Sequence, residues 1–574
     1  MKIYWQILRK YKVSLLISPF LILITVLCET IQPWFMAKVV DDGVMTQDLS
    51  VITRIGAYMV GVSILGLIVS IINVYVSSKA SIGFGTDLRS SLFDKIQQLS
   101  FTEIDRFNSA SLITRLTNDI SRIQQVVLMG MRLMLRSPLM LVMATFFVVE
   151  INAQLALILI GAIPVLGVSI FLILRKGFPL FMKVQQKIDQ LNAVVRENLI
   201  NIRVVKSFVR EDFEEKKFAT RSEDLRDTVI HASNVVVTIF PVMQLIMNVS
   251  VIIILWVGGS KVMVGDLKVG ELISFVNYIM QILMALMLLS MVIMNIARAS
   301  ASSERVLEVL KTNTSLTNTE EGLKNINKIN HGGVTFRNVY FRYSGGENDV
   351  LKDINFDVNE GETVAVVGAT GSAKTSMVQL IPRLYNTTQG EVLIDGVNVK
   401  DYNLDELHLK VGMVLQKNEL FTGTILENLR WGNPEATQDE VEEAAKAAQA
   451  HNFIMSFTDG YHTMLGRGGV NVSGGQKQRI CIARALLRKP KILILDDSTS
   501  AVDSDTEQKI RHNLKEMLAG TTVFIITQRI NTMQSADRVI VLEDGEIDAI
   551  GKPEELIQTS EVYKEIYNSQ QIAF

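Results

Sequence analysis

Four long stretches free of Asp, Glu, Lys and Arg lie in the first 300 residues of this 574-residue chain, and nothing else in the sequence limits its folding so strongly. Ile55–Ser78 and Ile151–Leu174 run 24 such residues each, Ala232–Ser260 runs 29 and Leu272–Ala297 runs 26. About 20 apolar residues cross a bilayer as a helix, and one charge at its centre costs about 2.5–3.5 kcal/mol on insertion scales. All four segments therefore predict membrane spans. Val13–Cys28 gives 16 charge-free residues and the apolar pattern resumes beyond Glu29 as far as Ala37, which predicts a first span, expected to be retained because it lacks a small-residue cleavage site. Ser137–Val149 gives only 13. At about 1.5 Å per residue that is roughly 20 Å, so it spans as the third segment only if Arg132 and Arg136 snorkel at its inner end.

Six spans return the chain to the side where it began, and the Lys/Arg bias decides which side that is. The N-terminus carries Lys2, Arg9, Lys10 and Lys12, and segments 77–132 and 175–234 carry seven and twelve Lys/Arg. The opposite connections, 34–54 and 258–268, carry two each, and 150–153 carries none. Both termini are thus expected in the cytoplasm. The inward loops repeat apolar residues at helical spacing (Leu88, Leu92, Ile96, Leu99; Leu191, Val194, Val195, Ile202), so helices are expected to continue beyond the bilayer. The reading assigns 1–300 to a six-span helical domain, 301–331 to a linker and 332–574 to a soluble α/β domain. A net charge of −2 gives no general attraction to nucleic acid, and two cysteines exclude a disulfide scaffold.

In the second half, the apolar strand Thr363–Val367 leads into Gly368, Ala369, Thr370, Gly371, Ser372, Ala373, Lys374, Thr375 and Ser376, and then a helix. Strand, small-residue loop and helix form a phosphate cradle: backbone N–H groups wrap a polyphosphate, Lys374 reaches the β/γ-phosphates and Thr375 ligates Mg²⁺. Ala373 stands where this loop usually has Gly. A later apolar strand ends in Asp496 and Asp497, where the first carboxylate suits Mg²⁺ and the second an attacking water. Val472, Ser473, Gly474, Gly475 and Gln476 precede another helix and make a second anion site, more than one nucleotide needs.

VSGGQ between a phosphate loop and LILDD resembles the signature of ATP-binding cassette (ABC) proteins, and six spans ahead of it resemble the half-transporters among ABC exporters. The resemblance covers essentially the whole chain. It implies two cassettes stacked head to tail, each ATP held between one chain's phosphate loop and the other's signature. It implies further that Tyr343 stacks on adenine, that Gln416 links Mg²⁺ and attacking water to the membrane part, that Ser500–Asp503 forms the loop after the catalytic strand, and that short helices near Asp105–Leu112 and Val209–Phe218 dock on cassettes. Where the family has a catalytic Glu this chain has Asp497, and where it has a switch His this chain has Gln528. Asp is a methylene shorter, and Gln cannot become cationic. A slow ATP site beside an intact signature resembles the degenerate-site subunit of heterodimeric bacterial multidrug exporters, whose partner would carry Glu and His.

The resemblance therefore implies a plasma-membrane exporter of hydrophobic or amphipathic compounds. A lipid or peptide exporter, and an ATP-binding regulator or channel that does not pump, stay open. Glu29, ionisable inside the first span, either helps to hold cationic cargo or reaches water at the outer interface. Met280, Met284, Met287, Met291 and Met294 recur every three or four residues along the sixth span, as an adaptable cavity wall or as packing against a helix or lipid.

Overall fold

The computed structural model describes residues 2–318, 328–498 and 501–571. Six helical segments are long and apolar enough to cross a membrane: Lys2–Val44, Leu49–Gln97, Ser109–Ile151, Ala153–Ile200, Glu211–Val264 and Val269–Leu289. The second is one continuous helix of 49 residues, about 74 Å at about 1.5 Å per residue, more than twice the hydrocarbon thickness. Asn152 ends one span and starts the next, its side chain accepting from the N–H groups of Gln154 and Leu155.

The third span corrects the sequence expectation. Ser109–Ile151 is 43 residues long, interrupted by wide turns at Arg115–Asp119 and Gly130–Met134, and its Arg132 and Arg136 bond to neighbouring spans. Arg132 donates to Ser77 Oγ (2.7 Å), Ser78 Oγ (2.8 Å) and the Val74 carbonyl (2.8 Å). Arg136 grips both oxygens of Glu29, at 2.7 and 2.8 Å. Their charges are satisfied on neighbouring spans, so a short charge-free run does not mean a short span.

Contacts divide the chain into two compact units: Met1–Phe93 with Ile113–Leu310, and Asp94–Leu112 with Lys311–Phe574. The segment Asp94–Leu112, which the sequence reading placed with the membrane part, thus belongs to the second unit, and the last long helix runs on to Lys311. In the first unit the core lies around Ala144, Val148, Leu166, Ile254, Phe275 and Ile282, with Tyr278 stacked on Phe147 at 5.4 Å. Pro33, inside the helix Lys12–Val39, has no N–H to give the Glu29 carbonyl. Gln281 Nε2 takes that carbonyl (3.4 Å), Tyr278 donates to Thr30 O (2.7 Å) and Ser274 to Pro33 O, so the sixth span is stitched to the first where proline opens it.

The second unit is built on a six-stranded sheet in the order Glu546–Gly551, Arg538–Glu543, Thr363–Val367, Thr522–Ile526, Ile492–Asp496 and Val411–Val414. All neighbours are parallel except the first pair. Ile492–Asp496 and Thr522–Ile526 are buried at every position, as strands covered on both faces must be, which is why they read as unbroken apolar runs. A four-stranded antiparallel sheet, Leu351–Val358, Val334–Phe341, Gln389–Ile394 and Val397–Asn398, stands beside it.

Candidate nucleotide site

Strand order assembles the site. The switch strand Thr522–Ile526 lies between Thr363–Val367 and Ile492–Asp496, with Ile526 opposite both Val366 and Asp496. The phosphate loop, the two aspartates and Gln528 therefore leave the same carboxyl edge of the sheet, where open α/β folds bind ligands.

Gly368 has φ +153°, and a Cβ there would lie 2.2 Å from the Leu542 carbonyl oxygen, so only glycine fits. Gly371 is also left-handed (φ +93°). Ala373 is left-handed as well, at φ +69° and ψ 20°. The cost of alanine here is thus one of backbone conformation, about 1–2 kcal/mol for an L-residue, besides the bulk that the sequence suggests. Lys374 Nζ curls over the loop and donates to the carbonyls of Gly368 (2.9 Å) and Ala369 (2.7 Å) and to Ser372 Oγ (3.2 Å). Burial pulls its ammonium below the ordinary value, against Asp496 and Asp497.

Thr375 Oγ1 donates to Asp496 Oδ1 at 3.0 Å, joining two of the three expected Mg²⁺ ligands. Gln416, the third, is exposed in the loop after Val411–Val414 and outside that hydrogen bond. Burial pushes the Asp496 carboxyl up, and Asp497 adds to the rise while Thr375 and Lys374 oppose it. Asp497 takes φ +46°, a region in which Asp is several-fold commoner than most residues, and its N–H donates to Ile526 O (3.2 Å). Gln528 is exposed beyond the end of its strand.

Ser473 caps the helix Gly474–Leu486 in a reciprocal box with Gln476. The helix start lies against the loop after the catalytic strand: a Cβ on Gly475 would be 2.7 Å from Ala501 O, and buried Gln478 accepts from the Ala501 N–H at 3.0 Å. Val472 is buried beneath. Ser500 of that loop lies outside the described residues, as do the side chains of Met291 and Met294.

Tyr343 is half-buried, its hydroxyl 2.9 Å from Ser376 Oγ and its ring edge-on to Tyr385 at 5.3 Å. Tyr385 donates to Asp105 Oδ2 (2.7 Å) and its ring lies 6.1 Å from Phe101. Phe101–Phe107 is a short helix capped by Ser100 and Glu103. The Ser315 N–H donates to Glu103 (3.2 Å), and bonds from Ser100 and Ser315 hold that carboxyl below the usual range although burial alone would raise it. Thr102, Asp105, Arg106, Tyr343, Ser344 and Tyr385 line a cavity of about 500 Å³.

Two family descriptions match the chain: "ABC transporter transmembrane region" over residues 15–286 and "ABC transporter" over 351–500. Across 563 residues, 98% of this chain and 97% of the relative, it is 40% identical to the uncharacterized ABC transporter ATP-binding protein YfiB of Bacillus subtilis (strain 168). The chain belongs to the ABC transporter family. It is 33% identical over 578 residues, 100% of this chain and 99% of the other, to YgaD of Bacillus subtilis (strain 168), an ATP-binding/permease protein provisionally named for multidrug export. The solved structure of a bacterial Atm1-family ABC exporter with ATP bound is similar at TM-score 0.81 and 25% identity, covering 98% of each chain. This ABC transporter is an exporter half-transporter, with membrane and cassette parts fused, and an ATPase-coupled transporter using ATP and Mg²⁺.

The residues present fit those ligands. The glycine-only approach at Gly368 leaves backbone N–H groups open to phosphate, and Thr375 and Asp496 offer the oxygen donors that Mg²⁺ prefers. Bound there, the metal neutralises phosphate charge. Lys374 would swing from the loop carbonyls to phosphate oxygens, and Asp497 would orient water from one methylene further away than Glu. Sequence motifs did not disclose Tyr385 or Gln478, nor the partners that Asp105 and Arg136 find. Tyr385 carries a signal only in retrospect, as an aromatic 42 residues after Tyr343 on a different loop, and Arg136 as an arginine directly before the charge-free run Ser137–Val149.

Proposed function

We propose that this ABC exporter is the degenerate-site subunit of a heterodimer that moves hydrophobic or amphipathic compounds out across a bacterial plasma membrane. In this reading it binds ATP at its own phosphate loop, turns it over slowly and lends Ser473–Gly475 to the partner's competent site. The observation that carries the reading is the joint replacement of the catalytic Glu and His by Asp497 and Gln528 beside a complete signature. A general base or positioning group contributes about 10²–10⁴-fold. Losing both effects leaves ATP bound through many cycles of the partner. Exposed Leu199, Ile200, Phe208, Val209 and Phe213 at the tip of the second cytoplasmic loop favour a second chain, because soluble surfaces seldom leave such patches bare. The likeness to YgaD favours a multidrug cargo.

The test is ATP turnover by the purified chain alone, with Asp497→Glu plus Gln528→His, and with the half-transporter that co-purifies from native membranes. The reading expects slow turnover alone, a gain of at least about 10²-fold on restoring the pair, and fast turnover with the partner. Fast hydrolysis by the unaltered chain as a homodimer would refute it.

A further inference from the structure

The ion pair between Glu29 and Arg136 changes what the membrane part can recognise. Glu29 lies ten residues before Val39 on its helix, about 15 Å from that end, well within bilayer depth. Arg136 holds it in a two-pronged bond at 2.7 and 2.8 Å, yet both side chains keep about a third of their surface exposed, 35% and 37%. Gln281 completes the cluster from the sixth span, its Nε2 on the Glu29 carbonyl. Two polar atoms of the cluster are buried with no hydrogen-bond partner among the described residues: the donor Arg136 Nε and the acceptor Gln281 Oε1. On the same face of the sixth span as Gln281, at helical spacing, Asn277 and Met284 are exposed. An open ion pair and an open amide turned toward lipid would be costly, so this face borders a wet cavity.

We infer that Glu29, Arg136 and Gln281 form a cargo-recognition site selective for amphipathic molecules with a net-neutral head that both donates and accepts, a zwitterion above all, and that it disfavours lipophilic cations. The site rests on the exporter reading and names its cargo class. The paired charges cancel in net terms but leave a strong local dipole, which a zwitterion complements by setting its cation against Glu29 and its anion against Arg136. The unpartnered donor and acceptor offer the same head two further hydrogen bonds. A cation alone would have to displace Arg136 from Glu29 and leave the guanidinium unpaired, so it gains its contact only by losing a two-pronged charged bond. The bonding thus redirects Glu29 from the cationic cargo that its charge alone suggests.

The probe is a pair of xanthene dyes with one ring system, a zwitterion bearing a free carboxylate and its methyl ester, a cation. Their binding to the purified full chain in lipid nanodiscs is read by fluorescence anisotropy. The zwitterion should bind at least about tenfold tighter than the ester, a ratio that 1.4 kcal/mol supplies. Arg136→Gln should invert the ratio by baring the carboxylate, and Glu29→Gln should keep or widen it by baring the guanidinium. Preference of the unaltered chain for the ester would overturn the site whatever the variants do, and so would an unchanged ratio in Arg136→Gln. Should inverted vesicles move neither dye with ATP while the ratios behave as expected, the exporter reading fails and the binding site stands.

Discussion

Replacing Gly475 by alanine tests how the signature is held. A Cβ at this position falls 2.7 Å from the Ala501 carbonyl oxygen, whereas comfortable carbon–oxygen contacts begin near about 3.3 Å, so helix start and loop must separate by about 0.6 Å. The loop cannot yield freely, because buried Gln478 holds the Ala501 N–H at 3.0 Å. Overpacking of this kind costs about 1–3 kcal/mol, and alanine returns about 0.5–1 kcal/mol of helix preference, leaving a net loss near 1 kcal/mol. Gly474 supplies the internal control: its Cβ would meet Ala501 Cβ at 3.6 Å, an ordinary contact, so Gly474→Ala keeps the helix gain without the clash. Thermal unfolding of the purified transporter should fall by about 2–4 °C for Gly475→Ala and hold or rise for Gly474→Ala. A sub-ångström displacement of a group placed at the partner's phosphate should also lower ATPase about 10- to 100-fold in Gly475→Ala. Shifts of the same sign in the two alanine variants, or full ATPase in Gly475→Ala, would refute the reasoning.

Asp496→Asn separates metal binding from folding. Burial raises this carboxyl's pKa, so its contribution to stability is full below the unfolded-state value and is lost as pH rises through the raised one. The neutral variant should therefore unfold at the same or a higher temperature near pH 7 while losing the Mg²⁺-dependent part of stabilisation by ATP, seen by thermal shift with and without the metal. Tyr385→Phe removes the 2.7 Å bond to Asp105, worth about 1.5–3 kcal/mol for a charged acceptor, and hydrogen exchange in Phe101–Phe107 should speed up while ATP affinity holds. Met284 is 56% exposed and Met287 packs on the membrane core. Leucine at 284 should alter the relative transport of unlike dyes, and leucine at 287 should mainly change stability, as dye uptake and unfolding temperature will tell.

Spans and strands were legible because burial on both sides leaves long apolar runs, and the phosphate loop because a glycine such as Gly368 admits no substitute. The third span was found but its length was underestimated for a physical reason: a count of charge-free residues treats Arg136 as an isolated charge, and only three-dimensional proximity reveals that Glu29, 107 positions earlier, neutralises it. Methyl bulk at Ala373 was foreseeable, but its left-handed backbone was not, since residue identity does not report φ. The route from Tyr343 through Tyr385 to Asp105 joins residues 280 positions apart across loops that no motif links.

Two arginines midway along the third span find their partners upstream, Arg132 at Val74, Ser77 and Ser78 and Arg136 at Glu29. A nascent chain leaves the ribosome N-terminus first, so the first two spans are already at the membrane when these cations emerge. By itself the third segment would carry two charges at about 2.5–3.5 kcal/mol each into the bilayer, enough to favour staying out. Its entry is therefore tied to the earlier hairpin, which acts as an intramolecular template for insertion. Biogenesis thus has a built-in order, and a lesion at Glu29 would be felt at the translocon before any cargo is met.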